Sequence, residues 1–371
     1  ADLQRQLYKS LIAHNGNKKA AAVALDPETG QVLALISLPG YDDNLFSQGI
    51  SQADYSKLAN DSAHPLFNRA ISGTYPPGST IKPVIASAGL QEGVINTSTT
   101  VYDNGDLVYN GYHFRGWNPA GLGPMNVRTA IAMSSDIFFY TVGGGQASLN
   151  IQGLGPDRID KYDYLFGMGQ KLGIDLPGEQ PGVIGGPDER KQAFSDPARQ
   201  IWYPGDTYHI SIGQGDMLVT PLQVAEWTAA VANGGTLYKP YIVDKVIDDN
   251  GNVVFENKPS VIRAGFIDPA NIEVVREGMR MTVTQGTAKS LQSLPVDAAG
   301  KTGTAQFDSA NPNAAHAWFT AFAPYENPQI VVTVLIEAGG EGSTAATPVV
   351  RETLQWWAQH RYNQPAQQGT K

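Results

Sequence analysis

Residues 74–83 read TYPPGSTIKP and set Ser79 three positions ahead of Lys82. Pro76, Pro77 and Gly78 punctuate a turn, and Ile81, Val84, Ile85 and Ala88 then recur at helical spacing. Ser79 therefore stands at the start of a helix, either as its cap or as a nucleophile. Residues three apart share a helix face, so Lys82 can lie beside the Ser79 hydroxyl. A lysine shielded from water loses basicity and, as a neutral amine, can take the serine proton. The helix N-terminus favours the negative charge that develops there. The spacing alone is a weak signal, because random placement of the serines and lysines yields roughly 0.75 such pairs.

A second candidate is Lys301-Thr302-Gly303-Thr304, preceded by AAG in a strand-like setting. Its Lys-Thr-Gly triplet is expected by chance only about a tenth of a time. On an edge strand Thr302 and Thr304 would share one side, Lys301 would supply positive charge, and Gly303 would let a ligand backbone approach. That pattern suits a peptide with a free carboxylate, added as an extra strand. Taken alone, it reads equally well as a glycine-relieved edge strand with a solvated lysine. A third polar group has three candidates. Ser134-Ser135-Asp136 ends a helix just before IFFY, Ser148-Leu149-Asn150 follows a glycine run, and Ser309-Ala310-Asn311 lies in the loop before HAWF. Ser134 is preferred because a flanking helix would hold its hydroxyl rigidly in a cleft.

The elements that must position these groups follow from pattern. A helix spans 1–17 and stops at Gly16. Two apolar runs flank Asp26-Pro27-Glu28-Thr29-Gly30 as a hairpin. Some helix is expected over 51–60, then the helix from Ser79, and a mixed loop over 96–125. Residues 126–145 are mostly helical, 157–172 form an amphipathic helix, and 174–208 is a Pro/Gly-rich loop too long for a plain connector. Thr220-Pro221 opens a helix closed by Gly234. Short strands surround DDNGN within 236–262, and a helix covers 271–284 with an extension over 287–294. Strands follow at 297–306, HAWFTAFAP and QIVVTVLIEA, and Thr347-Pro348 starts a closing helix. Strands at both ends of the chain around a helical block imply an α+β domain with one antiparallel sheet.

Composition narrows the function classes. The 371 residues are 42% hydrophobic and 16% charged, enough for a sizeable core. The net charge of −9, with no dense Lys/Arg run, argues against a nucleic-acid partner. The absence of cysteine excludes disulfides and thiolate metal sites. The six histidines have no ligand spacing and read as surface or loop residues. No run approaches the length of a membrane helix, and IVVTVLIEA reads as a buried strand.

Ser-x-x-Lys, then Ser-x-Asp, then Lys-Thr-Gly, in this order, resembles the penicillin-binding proteins and serine β-lactamases. YPPGST-x-KP, SSDIFFY, WYPGDTYHISIGQG, VTPLQVA and AGKTGTAQ are similar to class B of that family, and WYPGDT followed by SIGQG is most similar to its penicillin-binding protein 2, elongation-type members. The likeness runs from about residue 19 to 360. It implies a transpeptidase fold with a central antiparallel sheet, flanking helices and an all-helical subdomain. Residues 1–18 would be a linker helix left from a missing pedestal and membrane anchor, 19–362 the transpeptidase domain, and 363–371 a disordered tail.

The resemblance also implies roles. Ser79 would be the acylated nucleophile, Lys82 the general base, Ser134 a proton relay to the leaving amine, and Lys301 a polarising, carboxylate-binding cation. The backbone N–H groups of Ser79 and Thr304 would form the oxyanion hole, with Asp136, Thr302, Gly303 and Thr304 contacting substrate. Asp136 stands where many relatives have Asn, and it cannot donate through an amide. Some relatives bind zinc near the second motif with carboxylates, a histidine and a cysteine. Here cysteine is absent and Asp103, Asp106 and His113 are not clearly spaced for it, so no metal and no cofactor are expected. The implied reaction is D,D-transpeptidation of peptidoglycan stem peptides through an acyl-serine that β-lactams trap. It would run outside the inner membrane, alongside a peptidoglycan polymerase and other elongation proteins. The alternatives are a D,D-carboxypeptidase, a β-lactam hydrolase, a β-lactam sensor or an inactive scaffold. Glu179 and Glu189 are the glutamates in the 174–208 loop that hydrolysis would call on.

Overall fold

The structure is a computed structural model describing residues 1–308, 311 and 314–362. The expected tail at 363–371, and Ser309 and Ala310 of one alternative motif, lie outside the described residues.

Five antiparallel strands form the central sheet: β1 (Ala20–Leu25), β2 (Val32–Leu38), β3 (Ala299–Gln306), β4 (Ala315–Ala323) and β5 (Ile330–Ile336), in the order β3-β4-β5-β1-β2. The N-terminal hairpin thus completes a C-terminal meander, with Val23 opposite Thr333 where β1 meets β5. β1 reads AAAVAL and is buried along its whole length, because both sheet faces are covered. Side chains alternate between faces. Ala21, Val23 and Leu25 join one core with Trp318, Phe322 and Leu335, while Ala20, Ala22 and Ala24 join another with Phe319, Val332 and Val334. Among the described residues β3 pairs only with β4, so Lys301-Thr302-Gly303 lies on a sheet edge, as its glycine suggested.

The helices that matter to the site are α1 (Asp2–His14), α2 (Lys82–Gln91), α3 (Val127–Met133), α4 (Asp136–Gly144), α5 (Pro204–Ile210), α6 (Pro221–Ala232), α7 (Pro269–Thr284) and α8 (Gly342–Trp357). Expected as a linker, α1 buries Leu3, Leu7 and Leu11, one helical stripe, in the core it shares with α8. α6 is buried at every position and packs on the opposite sheet face. Thr220 caps it through a capping box with Gln223, as Thr220-Pro221 foretold. Among the described residues no helix is long and apolar enough to cross a membrane.

Several expectations are corrected. The 174–208 segment is not a plain loop but holds three short helices, opening at Pro187, Pro197 and Pro204, where the missing N–H costs nothing. The 96–125 segment carries four short strands paired in two ribbons. The helix expected over 157–172 ends at Leu165, before the positive-φ glycines 167 and 169. Only a 3-10 turn, Lys289–Ser293, follows α7. α8 begins at Gly342 rather than at Thr347, and Pro348 lies inside it. The Gly342 N–H is taken by the Thr304 hydroxyl at 3.3 Å and Thr347 Oγ1 donates to Gly342 O at 2.9 Å, so tertiary contacts start this helix upstream of its proline.

Candidate active site

Ser79 lies in a 3-10 turn, Gly78–Ile81, that runs straight into α2, whose first turn is fixed by Pro83. No side chain caps either element, so the Ser79 hydroxyl is not spent as a helix cap. The turn is held from several directions. Gly78 N–H donates to Gly213 O at 2.9 Å, Trp318 Nε1–H to Pro76 O at 3.0 Å, and Thr80 Oγ1 to Pro77 O at 2.8 Å. Tyr75 exchanges both backbone bonds with Val219. Below them Arg69, itself buried, pairs with Glu337 at 2.9 Å, and Tyr75 OH donates to the same carboxylate oxygen at 2.7 Å.

Lys82 leaves α2 fully buried and reaches three acceptors: Ser134 O at 2.8 Å, Ser134 Oγ at 3.3 Å and Asp136 Oδ1 at 2.6 Å. Lys301, also fully buried, comes from β3 to Ser134 Oγ at 2.9 Å and to its neighbour's carbonyl, Thr302 O, at 3.0 Å. Ser134 is thus the meeting point of both lysines. It gains that place by breaking the helical 126–145 segment: it adopts a left-handed conformation, φ 58° and ψ 40°, between α3 and α4. Ser135 then caps α4 through Phe138 N and donates to the buried Asp103 at 2.6 Å, which fixes the corner. Burial pulls Lys82 below the ordinary lysine range, against the opposing pull of Asp136 and Asp103. Burial, reinforced by the Lys82 charge, holds Lys301 well below that range.

The Lys-Thr-Gly strand closes the other side. A β-carbon on Gly303 would stand 2.8 Å from Thr80 Cγ2 and 3.1 Å from Pro77 O, so only glycine lets β3 lie against the Ser79 turn. Thr302 and Thr304 share a strand face, as alternation requires. Thr302 Oγ1 pairs with Thr287 Oγ1 at 2.7 Å, and Thr304 Oγ1 donates to Glu341 at 3.0 Å. Hydrogen bonds therefore join the sequence-derived residues Lys82, Ser134, Asp136 and Lys301, and Gly303 and Thr304 of the same strand lie against the turn that carries Ser79. Ser148, by contrast, lies in a separate 3-10 turn, Ala147–Leu149.

Sequence reasoning missed several supports. The backbone N–H of Trp117 donates to Asp136 Oδ2 at 2.9 Å, and its indole N–H to Met133 O at 3.2 Å, which leaves an exposed ring beside the second motif. Gly213, within the SIGQG stretch, has φ +74° and abuts Gly78, and that glycine pattern was the available signal. His316, expected on the surface or in a loop, lies in β4, where Nδ1 accepts from Ala338 N. Asp106 meets His113 at 2.5 Å, while Asp103 is turned onto Ser135 and Gly105 N. Among the described residues no group of three or more His, Asp or Glu could hold a metal ion, so the donors present do not fit the four-coordinate zinc of some relatives.

Comparison with known proteins agrees with this geometry. The penicillin binding protein transpeptidase domain matches residues 20–355. The chain is 37% identical over 375 residues to the peptidoglycan D,D-transpeptidase MrdA of Haemophilus influenzae, covering 94% of this chain and 55% of that protein. It is also 37% identical to MrdA of Escherichia coli, covering 95% of this chain and 56% of the relative. The chain thus spans about half the length of these relatives. Among solved structures, Pseudomonas aeruginosa PBP2 in complex with WCK 5153 superposes with a TM-score of 0.84 at 36% identity, over 100% of this chain and 80% of that one. Helicobacter pylori PBP2 in complex with MreC gives a TM-score of 0.83 at 31% identity, over 97% and 63%. A serine turn, two buried lysines and an edge strand in this arrangement, with a family match along nearly the whole chain, lead to one conclusion: the protein belongs to the penicillin-binding protein transpeptidase family.

Proposed function

We propose that this chain is the acyl-transfer domain of an elongation-type peptidoglycan D,D-transpeptidase, working outside the inner membrane. The observation that carries the reading is the convergence of Lys82 and Lys301 on Ser134 beside the Ser79 turn. Ser79 attacks the penultimate D-Ala carbonyl of a stem peptide and releases the terminal D-Ala. An amine from a neighbouring stem then takes the acyl group. The contact of the Gly78 turn with the Thr304 backbone suits an oxyanion hole built from Ser79 and Thr304 N–H. Each such donor is worth about 2.7–4 kcal/mol in the transition state. Thr302, Gly303 and Thr304 offer the edge along which the donor peptide would lie. In the longer protein, a polymerase and elongation proteins would engage regions beyond this chain. H. pylori PBP2, solved with MreC, is the relative that motivates that partner class.

Transfer is favoured over hydrolysis by the fate of the loop glutamates. Both Glu179 oxygens are held by backbone N–H groups, of Leu172 at 2.6 Å and Gly173 at 3.0 Å, and Glu189 sits close enough to Asp160 to act on its charge. Glu179, so held, is not free to activate water at Ser79. Intact mass after incubation with a penicillin tests the reading. A stable single adduct on the Ser79 peptide, absent in Ser79→Ala, is expected. Rapid loss of the adduct while drug is consumed would point to a hydrolase, and no adduct would remove the nucleophile.

A further inference from the structure

The glycine run at 143–145 and Asn150 of Ser148-Leu149-Asn150 have no part in the site above, yet they border a second cleft. Its volume is about 350 Å³, and it is lined by Tyr109, Tyr208, Gln146, Asn150, Gln152 and the Gly144-Gly145 backbone. Every side chain along it is uncharged.

The floor is rigid. A β-carbon on Gly144 would stand 2.3 Å from Tyr208 Cε1, so the bare glycine allows the Tyr208 ring to lie flush on the end of α4. Tyr208 OH donates to Gly145 O at 3.1 Å, and its ring packs on Phe114 with centroids 4.6 Å apart. Tyr109 comes from the ribbon of Asp106–Tyr109 and Tyr112–Arg115 and meets Tyr208 edge-on at 5.8 Å. Tyr109 and Tyr112 are paired in register and so share one face of the ribbon. They are 39% and 73% exposed, which turns aromatic surface to solvent beside the cleft.

The rim is made of amides. Gln146 Oε1 accepts from Thr141 Oγ1 at 3.0 Å, which leaves its NH2 group for a ligand. Asn150 and Gln152 are exposed and, among the described residues, make no side-chain hydrogen bond. An amide both donates and accepts, as a hydroxyl does. A phosphate or carboxylate would find no cation in this lining, and an alkyl chain would leave the amides unpaired. The lining matches a sugar, a neutral hydroxyl-edged ring whose C–H face can lie on a tyrosine.

Position adds to composition. α4 begins at Asp136 in the catalytic cluster and ends at Gly144 in the cleft, about 12 Å further along its axis. α5 carries Tyr208 and leads within a few residues to Gly213, which abuts the Ser79 turn. In a stem of about five residues, the scissile carbonyl lies about four residues, or roughly 13–14 Å, from the sugar that bears the stem.

Resting on the acyl-transfer reading above, we propose that this cleft binds the N-acetylated amino sugar from which the donor stem peptide hangs. Tyr109 stacks on the ring, and Gln146, Asn150 and Gln152 bind its hydroxyl and acetamido groups. The enzyme then takes a glycan-borne stem in preference to a free peptide. A penicillin has no sugar and makes no use of the cleft.

Saturation-transfer NMR tests this with a disaccharide-pentapeptide and with the same pentapeptide lacking its sugars. With the unaltered protein the sugar ring protons are expected to be saturated, and the sugar-bearing ligand to bind about tenfold more tightly. Tyr109→Ala is expected to abolish both effects while penicillin labels Ser79 at an unchanged rate. Saturation confined to the peptide, no saturation at all, or sugar signals that survive both Tyr109→Ala and Gln152→Ala overturn the proposal. If Tyr109→Ala fails to label with penicillin, it has lost its fold and Gln152→Ala decides. A weakened sugar signal in that variant supports the cleft, and an unchanged one overturns it. An unaltered protein that forms no Ser79 adduct sinks the transpeptidase reading instead, because the sugar contacts are read without acylation.

Discussion

A β-carbon placed on Gly78 would stand 2.8 Å from the Thr304 carbonyl oxygen, so the nucleophile's turn and the edge strand meet through bare backbone. Gly78 also has φ +53°, a left-handed conformation that costs a side chain strain. Gly78→Ala is therefore expected to lower stability by about 1–3 kcal/mol. By pushing the turn off β3 it should slow acylation by on the order of 100-fold. Stopped-flow mixing with a chromogenic β-lactam and a denaturant titration read the two effects. A wild-type acylation rate would show that the close approach is not needed.

Asp136 accepts two donors on two oxygens, Lys82 Nζ and Trp117 N–H. Asparagine has one acceptor oxygen, so Asp136→Asn turns an NH2 group toward either the ammonium or the Trp117 amide. An unmade bond of this kind costs about 1–3 kcal/mol. Chemical denaturation should find that loss.

Arg69 is buried, and Glu337 is its carboxylate partner. Glu337→Ala leaves that cation uncompensated and should cost about 3–5 kcal/mol. Tyr75→Phe removes one hydrogen bond to the same carboxylate and should cost about 1 kcal/mol. The ordering of the two unfolding free energies is the check, and equal losses would contradict the ion-pair account.

Glu226 on α6 is fully buried, and among the described residues its carboxylate oxygens have no hydrogen-bond partner. Burial, helped by the Glu179 charge, pushes its proton affinity well above the ordinary 4.5. The folded protein then keeps a proton that the unfolded chain gives up. Stability from this group is complete at low pH and declines as pH rises from about 4.5 toward the folded-state value. Asp160, raised to about 7 by burial and by Glu189, Asp157 and Asp188, adds a slope of the same sign. Glu226→Gln should flatten the fall in thermal midpoint between acid and neutral pH. An unchanged pH slope would mean that Glu226 carries no such proton.

The catalytic groups were legible because their chemistry restricts residue types and their order along the chain. The sheet was legible because AAAVAL, HAWFTAFA and IVVTVLI have no competing period. What stayed hidden depends on contacts between distant segments. Residues 126–145 read as mostly helical, and the polar Ser134-Ser135-Asp136 marked a helix end without showing the left-handed turn at Ser134 that divides two helices. Thr347-Pro348 carries a convincing start signal, yet the Thr304 hydroxyl, 38 positions away in sequence, begins α8 earlier. Proline density over 174–208 reads as loop, although each of three prolines opens a helix. The Trp117 amide bond to Asp136 leaves no trace in composition or periodicity.

The sheet that frames the cleft joins the two ends of the chain, and the Arg69–Glu337 pair under the Ser79 turn closes 268 positions. Contacts this distant make formation slow, because the loop must close before they stabilise anything. A nascent or truncated chain lacking β3 to β5 has its serine but no edge strand, no Lys301 and only β2 beside β1. Such a chain cannot be acylated. A fluorescent penicillin added during synthesis would therefore count finished molecules only, and the lag before labelling would time the closing of the sheet.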